Sequence, residues 1–295
     1  MKFLNKLGAL ALAGVMALSL AACSSAPAEK ISITNENIET VLKDTKNRLT
    51  KLNEVSAEMS VSVGLGSAGS ASTGVTKAYI KDMKDPVLKE IIVKTSQDGV
   101  EAEDALEVYI KEESGKYLLY TIYEGEWYKQ EIESYYVGYL FNQYYITENA
   151  VKLLDNIENA KVDSTENGLT KVTCEVPTAN VFSLADGTGA FSYLFESLNQ
   201  AFFNVAEPVK ANMWLDETGM LVKYEIDYTA ALQDVLNTIY GSYGASLSGM
   251  LEVSDYTITV EMADFDALDG FDLPENVKNA QEFANLEDGV ITIDE

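Results

Sequence analysis

Apolar residues recur along this chain with two periods, and the switches between them divide it into elements. Ile38, Val41, Leu42, Thr45, Leu49 and Leu52 fall at three- and four-residue steps. That spacing predicts a helix from Asn35 to Leu52 with one buried stripe, capped by Thr34 or Asn35. The period then drops to two. Val55, Ala57, Met59, Val61 and Val63 alternate with Ser56, Glu58, Ser60 and Ser62, a strand with one dry face and one wet face. The small-residue run Gly64–Gly74 reads as a flexible hairpin loop. It holds neither a basic residue nor a following Gly-Lys-Ser/Thr, so it is no phosphate cradle.

A β-meander is predicted next, with strands near 75–81, 87–96, 105–111, 116–124 and 126–132. Asp85-Pro86, Asp98-Gly99, Ser114-Gly115 and Glu124-Gly125 supply its turns. Helical spacing returns near 148–160. A strand covers 169–176. Phe191, Leu194, Phe195, Leu198, Phe202 and Val205 predict an apolar helix over 189–205. A hairpin joins 211–216 to 220–228 through Glu217-Thr218-Gly219. A short helix near 230–240 and a long strand over 251–263 complete the pattern. The fold class is α+β, a predominantly antiparallel sheet with helices on one face.

The first thirty residues follow neither period. Lys2 and Lys6 precede an apolar run from Leu7 to about Leu20, and Leu20-Ala21-Ala22-Cys23 closes it with small residues before a cysteine. This resembles a bacterial lipoprotein signal peptide and its lipobox; the run is too short and wrongly flanked for a membrane span. The expectation is that residues 1–22 are removed and that Cys23 carries the lipid. Residues 23–30 then form a tether and residues 31–295 one domain. The protein would sit on the extracytoplasmic face of the cell membrane, held by its N-terminal lipid.

Charge and composition narrow the chemistry. The net charge is −26, and losing Lys2 and Lys6 makes the remainder two units more negative. Such a surface repels nucleic acid and anionic headgroups, so no nucleic-acid partner is expected and the lipid alone must anchor the chain. There is no histidine, which removes the commonest general base and transition-metal ligand. Cys174 alternates with Val172 and Val176 and reads as a small buried residue.

Several motifs together resemble a known group. They are the leading helix, the meander ending in Gly125-Glu-Trp-Tyr-Lys129, the Met213-Trp-Leu-Asp and Gly219-Met-Leu-Val-Lys223 hairpin, and the closing Leu273-Pro-Glu-Asn-Val-Lys278. The chain resembles the LolA/LppX-type lipoproteins, most of all an uncharacterised Gram-positive family of that group. The resemblance implies a curved antiparallel sheet forming an unclosed half-barrel, with helices on its concave face. In better-known relatives that concavity holds acyl chains. The arginine tied to lipid handling in the Gram-negative carrier has no counterpart, since Arg48 is the only arginine.

Candidate binding residues follow from aromatic density. Tyr135-Tyr136 and Tyr144-Tyr145 are adjacent pairs that a strand would point to opposite faces, so they are read as exposed contacts. Phe191, Phe195 and Phe202, on the helix predicted over 189–205, would line a sheet–helix cavity. Ordinary core packing of the same rings is the competing reading. The ligand-binding candidates are therefore Tyr135, Tyr136, Phe191, Phe195 and Phe202. Asp264–Asp272 carries four carboxylates but fails EF-hand spacing at Leu268, and reads as a solvated turn. Ser246 and Ser248 lack nucleophile-elbow spacing. No metal, cofactor or enzymatic activity is expected. Two functions stay open: binding of a lipid or acyl chain in a sheet–helix cavity, or an envelope scaffold that meets a protein or wall polymer.

Overall fold

The computed structural model describes residues 29–67, 70–192, 194–195, 199–243 and 251–283. Cys23, the signal segment, Ser246 and Ser248 lie outside them. Among the described residues one curved sheet of 13 strands carries the fold and does not close. Helix α1 (Ile38–Lys51) leads into β1 (Glu54–Ser67), β2 (Ser70–Lys84), β3 (Val87–Gln97) and the two-residue β4 (Val100–Glu101). Next come β5 (Leu106–Glu113), β6 (Lys116–Tyr123) and β7 (Glu126–Ile132). Helices α2 (Ser134–Phe141) and α3 (Ile146–Asn156) precede β8 (Glu158–Glu166) and β9 (Leu169–Val176). Helix α4 (Thr178–Thr188), β10 (Val209–Leu215), β11 (Leu221–Asp227), α5 (Thr229–Tyr243) and β12 (Glu252–Ala263) follow. The single-turn α6 (Glu275–Lys278) and β13 (Gln281–Glu282) end the described chain.

The strand order is β13-β7-β6-β5-β3-β2-β1-β12-β11-β10-β9-β8, with β4 on β3. Every pairing is antiparallel except β13 on β7. Four hairpins turn on two residues that both have positive φ: Asp98-Gly99, Ser114-Gly115, Glu124-Gly125 and Asn167-Gly168. These are the type I′ turns whose twist matches paired strands.

Both faces of the sheet are dry over part of their area. The inner face carries the main core. Val55, Ala57, Met59 and Val61 of β1, and the alternate residues of β9 to β12, pack there against α1, α3, α4 and α5. The outer face of β3 and β5 to β7 carries a second, smaller core. Leu88, Tyr109, Tyr120 and Trp127 meet Leu273, Val277 and Ala280 of the C-terminal segment, which crosses the sheet as a strap. The strap's carboxylates act as fasteners. Asp266 Oδ1 accepts the N–H groups of Asn53 (2.7 Å) and Glu54 (3.0 Å), and Asp264 accepts from the Ser56 hydroxyl (2.6 Å).

Three sequence readings change here. The Gly64–Gly74 run is not a loop: strand pairing continues out to Ser67 opposite Ser70. Small polar residues do not announce a strand, yet the ladder needs only their backbones. Residues 158–166 form a strand the pattern hid, because an edge strand with mostly exposed side chains needs no alternation. The described part of 189–205 holds no α-helix. Helix α4 lies upstream and ends at Gly189, whose φ of 62° sets a left-handed cap. Ala190 N–H then reaches Ala185 C=O at 2.9 Å, a Schellman closure. The chain beyond it turns, with a 3₁₀ segment at Gln200–Phe202.

Candidate functional site

The inner face presents two neighbouring spaces. The first is an open cleft of ~810 Å³ where β1, β2, β3 and β4 meet. Val63 pairs with Gly74, Leu65 with Ser72, and Thr76 with both Val61 and Thr95. Paired residues point to one side of a sheet, so these side chains form the floor. Most are small, and the floor is low for that reason. Val63, Leu65 and Val100 give it apolar walls. Val100 is 73% exposed.

The second space is a small cavity deeper under the helices. It leaves about 20 Å³ for the centre of a water molecule, which is room for one water. Met59, Val61, Tyr224, Ile226 and Ile258 supply its sheet side, and Gln143, Asn149, Thr188 and Tyr228 its polar side. Asn149 is fixed from α3: its Nδ2 faces the carbonyls of Asn142 (2.8 Å), Gln143 (3.3 Å) and Thr188 (3.5 Å). Its Oδ1 is buried without a partner, as is Gln143 Oε1. Tyr228 Oη sits beside the Thr188 side chain but makes no hydrogen bond of normal geometry. Burial pushes the Tyr228 hydroxyl well above the ordinary tyrosine range, so it stays protonated and neutral.

An aromatic cluster fills the inner face beside this cavity. Phe191 is fully buried, with ring centres 5.1 Å from Tyr256, 5.4 Å from Tyr228, 5.4 Å from Phe203 and 6.3 Å from Phe195. The Tyr256 hydroxyl donates to Ala190 C=O. Phe191 and Phe195 are thus brought together, as members of a packed cluster. Phe202 is half-buried and lies in the 3₁₀ turn.

Tyr135 and Tyr136 stand on α2, not on a strand, and are exposed by 72% and 41%. Tyr139 stacks on Tyr135 at 6.3 Å, while Val137 anchors the opposite side of the helix in the core. The second tyrosine pair differs from its sequence reading. Tyr144 is buried and Tyr145 half-buried, because the 3₁₀ turn at Asn142–Tyr144 tucks both under α3.

Tyr145 covers a charged pair that sequence reasoning missed. Asp82 and Lys89 face each other across β2 and β3 with side chains 0% and 5% exposed, and Lys89 Nζ lies 4.3 Å from the Tyr145 ring centre. Lys84 bridges to Glu148 of α3 at 3.0 Å. Strand alternation gave the only signal available: Asp82 and Lys89 fall on the inward register of Ile80 and Ile91. Arg48 has a structural task, with Nη1 donating to Thr218 C=O at 2.7 Å. Cys174 is buried, which pushes its thiol up to about 12. Among the described residues no group of three or more Asp, Glu or Cys could hold a metal ion. No described helix is long and apolar enough to cross a membrane.

No family model matches the chain, and no curated protein matches it. Solved structures do. The lipoprotein LppX of Mycobacterium tuberculosis is 11% identical, with 82% of this chain and 100% of that chain covered and a TM-score of 0.40. LprF of Mycobacterium bovis is 9% identical, with 83% and 99% covered and a TM-score of 0.43.

Proposed function

We propose that this chain is a lipid-anchored extracytoplasmic lipoprotein that binds an apolar ligand, a lipid or acyl chain, on the inner face of its half-barrel. The observation that carries this reading is the cleft over β1–β4. Its volume falls within the range of small-molecule sites; Val63, Leu65, Val75, Val100 and Ala102 give it apolar surface among small polar residues, with Asp98 and Glu101 also lining it. The seat of the ligand moves accordingly. The cluster around Phe191 is closely packed, and none of its rings is among the residues that line the cleft. The lipid on Cys23 would hold the domain at the membrane, close to a supply of such chains. The reading assigns no chemical reaction to the protein.

Gly74 allows a direct test. A side chain there would project into the cleft, and the nearest atom to an added Cβ is Val63 O at 4.0 Å. Gly74→Trp therefore fills the cleft without a clash at the backbone. Native mass spectrometry of the gently purified chain is expected to show a lipid mass that Gly74→Trp loses. Its affinity for a fluorescent acyl probe should fall at least about tenfold. Protein that is always empty and takes up no probe would refute the reading.

A second reading rests on α2. Tyr135, Tyr136 and Tyr139 form an exposed aromatic surface on a helix without charge, suited to a protein or wall-polymer contact. Loss of an envelope partner on Tyr135→Ala/Tyr136→Ala, with acyl binding unchanged, would favour it.

A further inference from the structure

We propose that the small cavity beside the cleft is a subsite for one neutral hydroxyl group: a buried water when the cleft is empty, the alcohol head of a long-chain amphiphile when it is filled. The second half rests on the cleft reading above, and the first half does not.

Three features select this chemistry. First, the cavity has the right size: about 20 Å³ for a water centre accepts one oxygen and no chain. Second, its polar groups need a donor. Asn149 is 4% exposed and its amide cannot turn over, because Nδ2 is committed to backbone carbonyls. Its Oδ1 can therefore only accept, and it has nothing to accept from. An orphaned buried acceptor costs the fold about 1–3 kcal/mol unless a donor arrives. Tyr228 supplies the complementary group, a neutral hydroxyl that can give or receive one hydrogen bond. A single O–H placed between them satisfies both. Third, the cavity excludes charge. No Lys or Arg is among its lining residues, so a carboxylate head would meet the Asn149 and Gln143 oxygens with no cation nearby. An ammonium would be buried without a counter-charge. Either ion costs far more than a neutral head.

The two spaces are close enough for one ligand to use both. Val61 lines the cavity and Val63 the cleft. They are successive inward positions of β1, about 7 Å apart. Thr76, the strand partner of Val61, also lines the cleft. A chain lying on the small-residue floor would bring its head to the Val61–Thr76 pair, at the cavity's edge.

The test has two arms. The first is a crystal structure of the empty protein that resolves ordered water. Density for one water bonded to Asn149 Oδ1 is expected, and a dry cavity would overturn the proposal. The second is competition of decanol and decanoate against a fluorescent acyl probe. Decanol should bind about tenfold tighter, since the loss of one satisfied buried acceptor is worth at least that factor. Tyr228→Phe keeps the ring against Phe191 and Tyr256, removes one of the two hydrogen bonds the alcohol would make, and should weaken decanol binding several-fold while decanoate stays the poorer ligand. Equal binding of the two, or preference for decanoate, overturns the ligand half. If neither competes and the acyl probe itself does not bind, the cleft reading is what has failed. The water arm then decides the cavity: density upholds the neutral-donor site, and its absence ends it.

Discussion

Lys89 pairs with Asp82, and each side chain is almost wholly removed from water. Burial raises the Asp82 carboxyl and the Lys89 charge lowers it, with a net position above the ordinary 3.8. Such a pair contributes little by existing and much by being broken. Lys89→Met should cost about 3–5 kcal/mol, read as a lower urea midpoint. Asp82→Leu/Lys89→Met together should recover most of it. Glu148 of α3, paired with Lys84, runs the other way. Burial pushes its carboxyl up, but Lys84, a backbone N–H and Lys89 more than offset this, and it lies below its ordinary 4.5. A carboxyl depressed on folding adds stability that is present above its unfolded value and fades as pH falls through the folded one. Glu148→Gln should therefore flatten the loss of stability below about pH 4.5, as followed by denaturation at a series of pH values. Asp82, being raised, gives the opposite slope and cannot produce that loss.

At the scale of elements, the cap on α4 controls how the aromatic cluster is delivered. Gly189 has φ of 62°, and a Cβ there would overlap the Asn142 side chain. Gly189→Ala should cost at least about 1–2 kcal/mol from the backbone alone. It should also loosen the Phe191 packing, visible as faster exchange of the Ala190 and Phe191 amides. The same cap explains what could be read in advance. Helix α1, β9, the β10–β11 hairpin and β12 are legible because each buries one face and solvates the other, and the meander because paired turn residues divide its strands. The span 189–205 misled because Phe191, Phe195 and Phe202 mimic helical spacing while a glycine two residues earlier ends the real helix. The Gly64–Gly74 strands and β8 gave no hydrophobic alternation to read. Tyr135 and Tyr136 are exposed on a helix, not on the strand that the reading from adjacency assumes, and Tyr144, read the same way, is buried. The burial of Tyr144, the floor of the cleft and the orphaned Asn149 oxygen depend on contacts between distant segments, which one sequence does not display.

For the molecule as a whole, the strap makes the outer face of β5–β7 a second core. Tyr109 and Trp127 meet edge-on at 5.5 Å beneath it, and Val277 is fully buried. Val277→Asp should release the strap at a cost of about 3–5 kcal/mol, the burial of Leu273 and Val277 lost together. In a Trp214→Phe background the emission of Trp127 should shift to the red. The inner core and the cleft should remain intact in the same variant, since the two cores share no residue.

The ends of the sheet have a consequence of their own. An unclosed sheet offers two rows of unpaired backbone groups to any second copy of the chain. At one end β13 lies parallel along β7 and covers it for two residues. At the other, β8 slips register between Glu158 and Lys161 and again between Val162 and Ser164. The Asn35 side chain takes up the Val162 N–H at 2.8 Å. Among the described residues the β8 edge is bent, while β13 covers two of the seven residues of β7. Edge-to-edge pairing between copies would therefore begin at β7, the flatter and less covered end of the sheet.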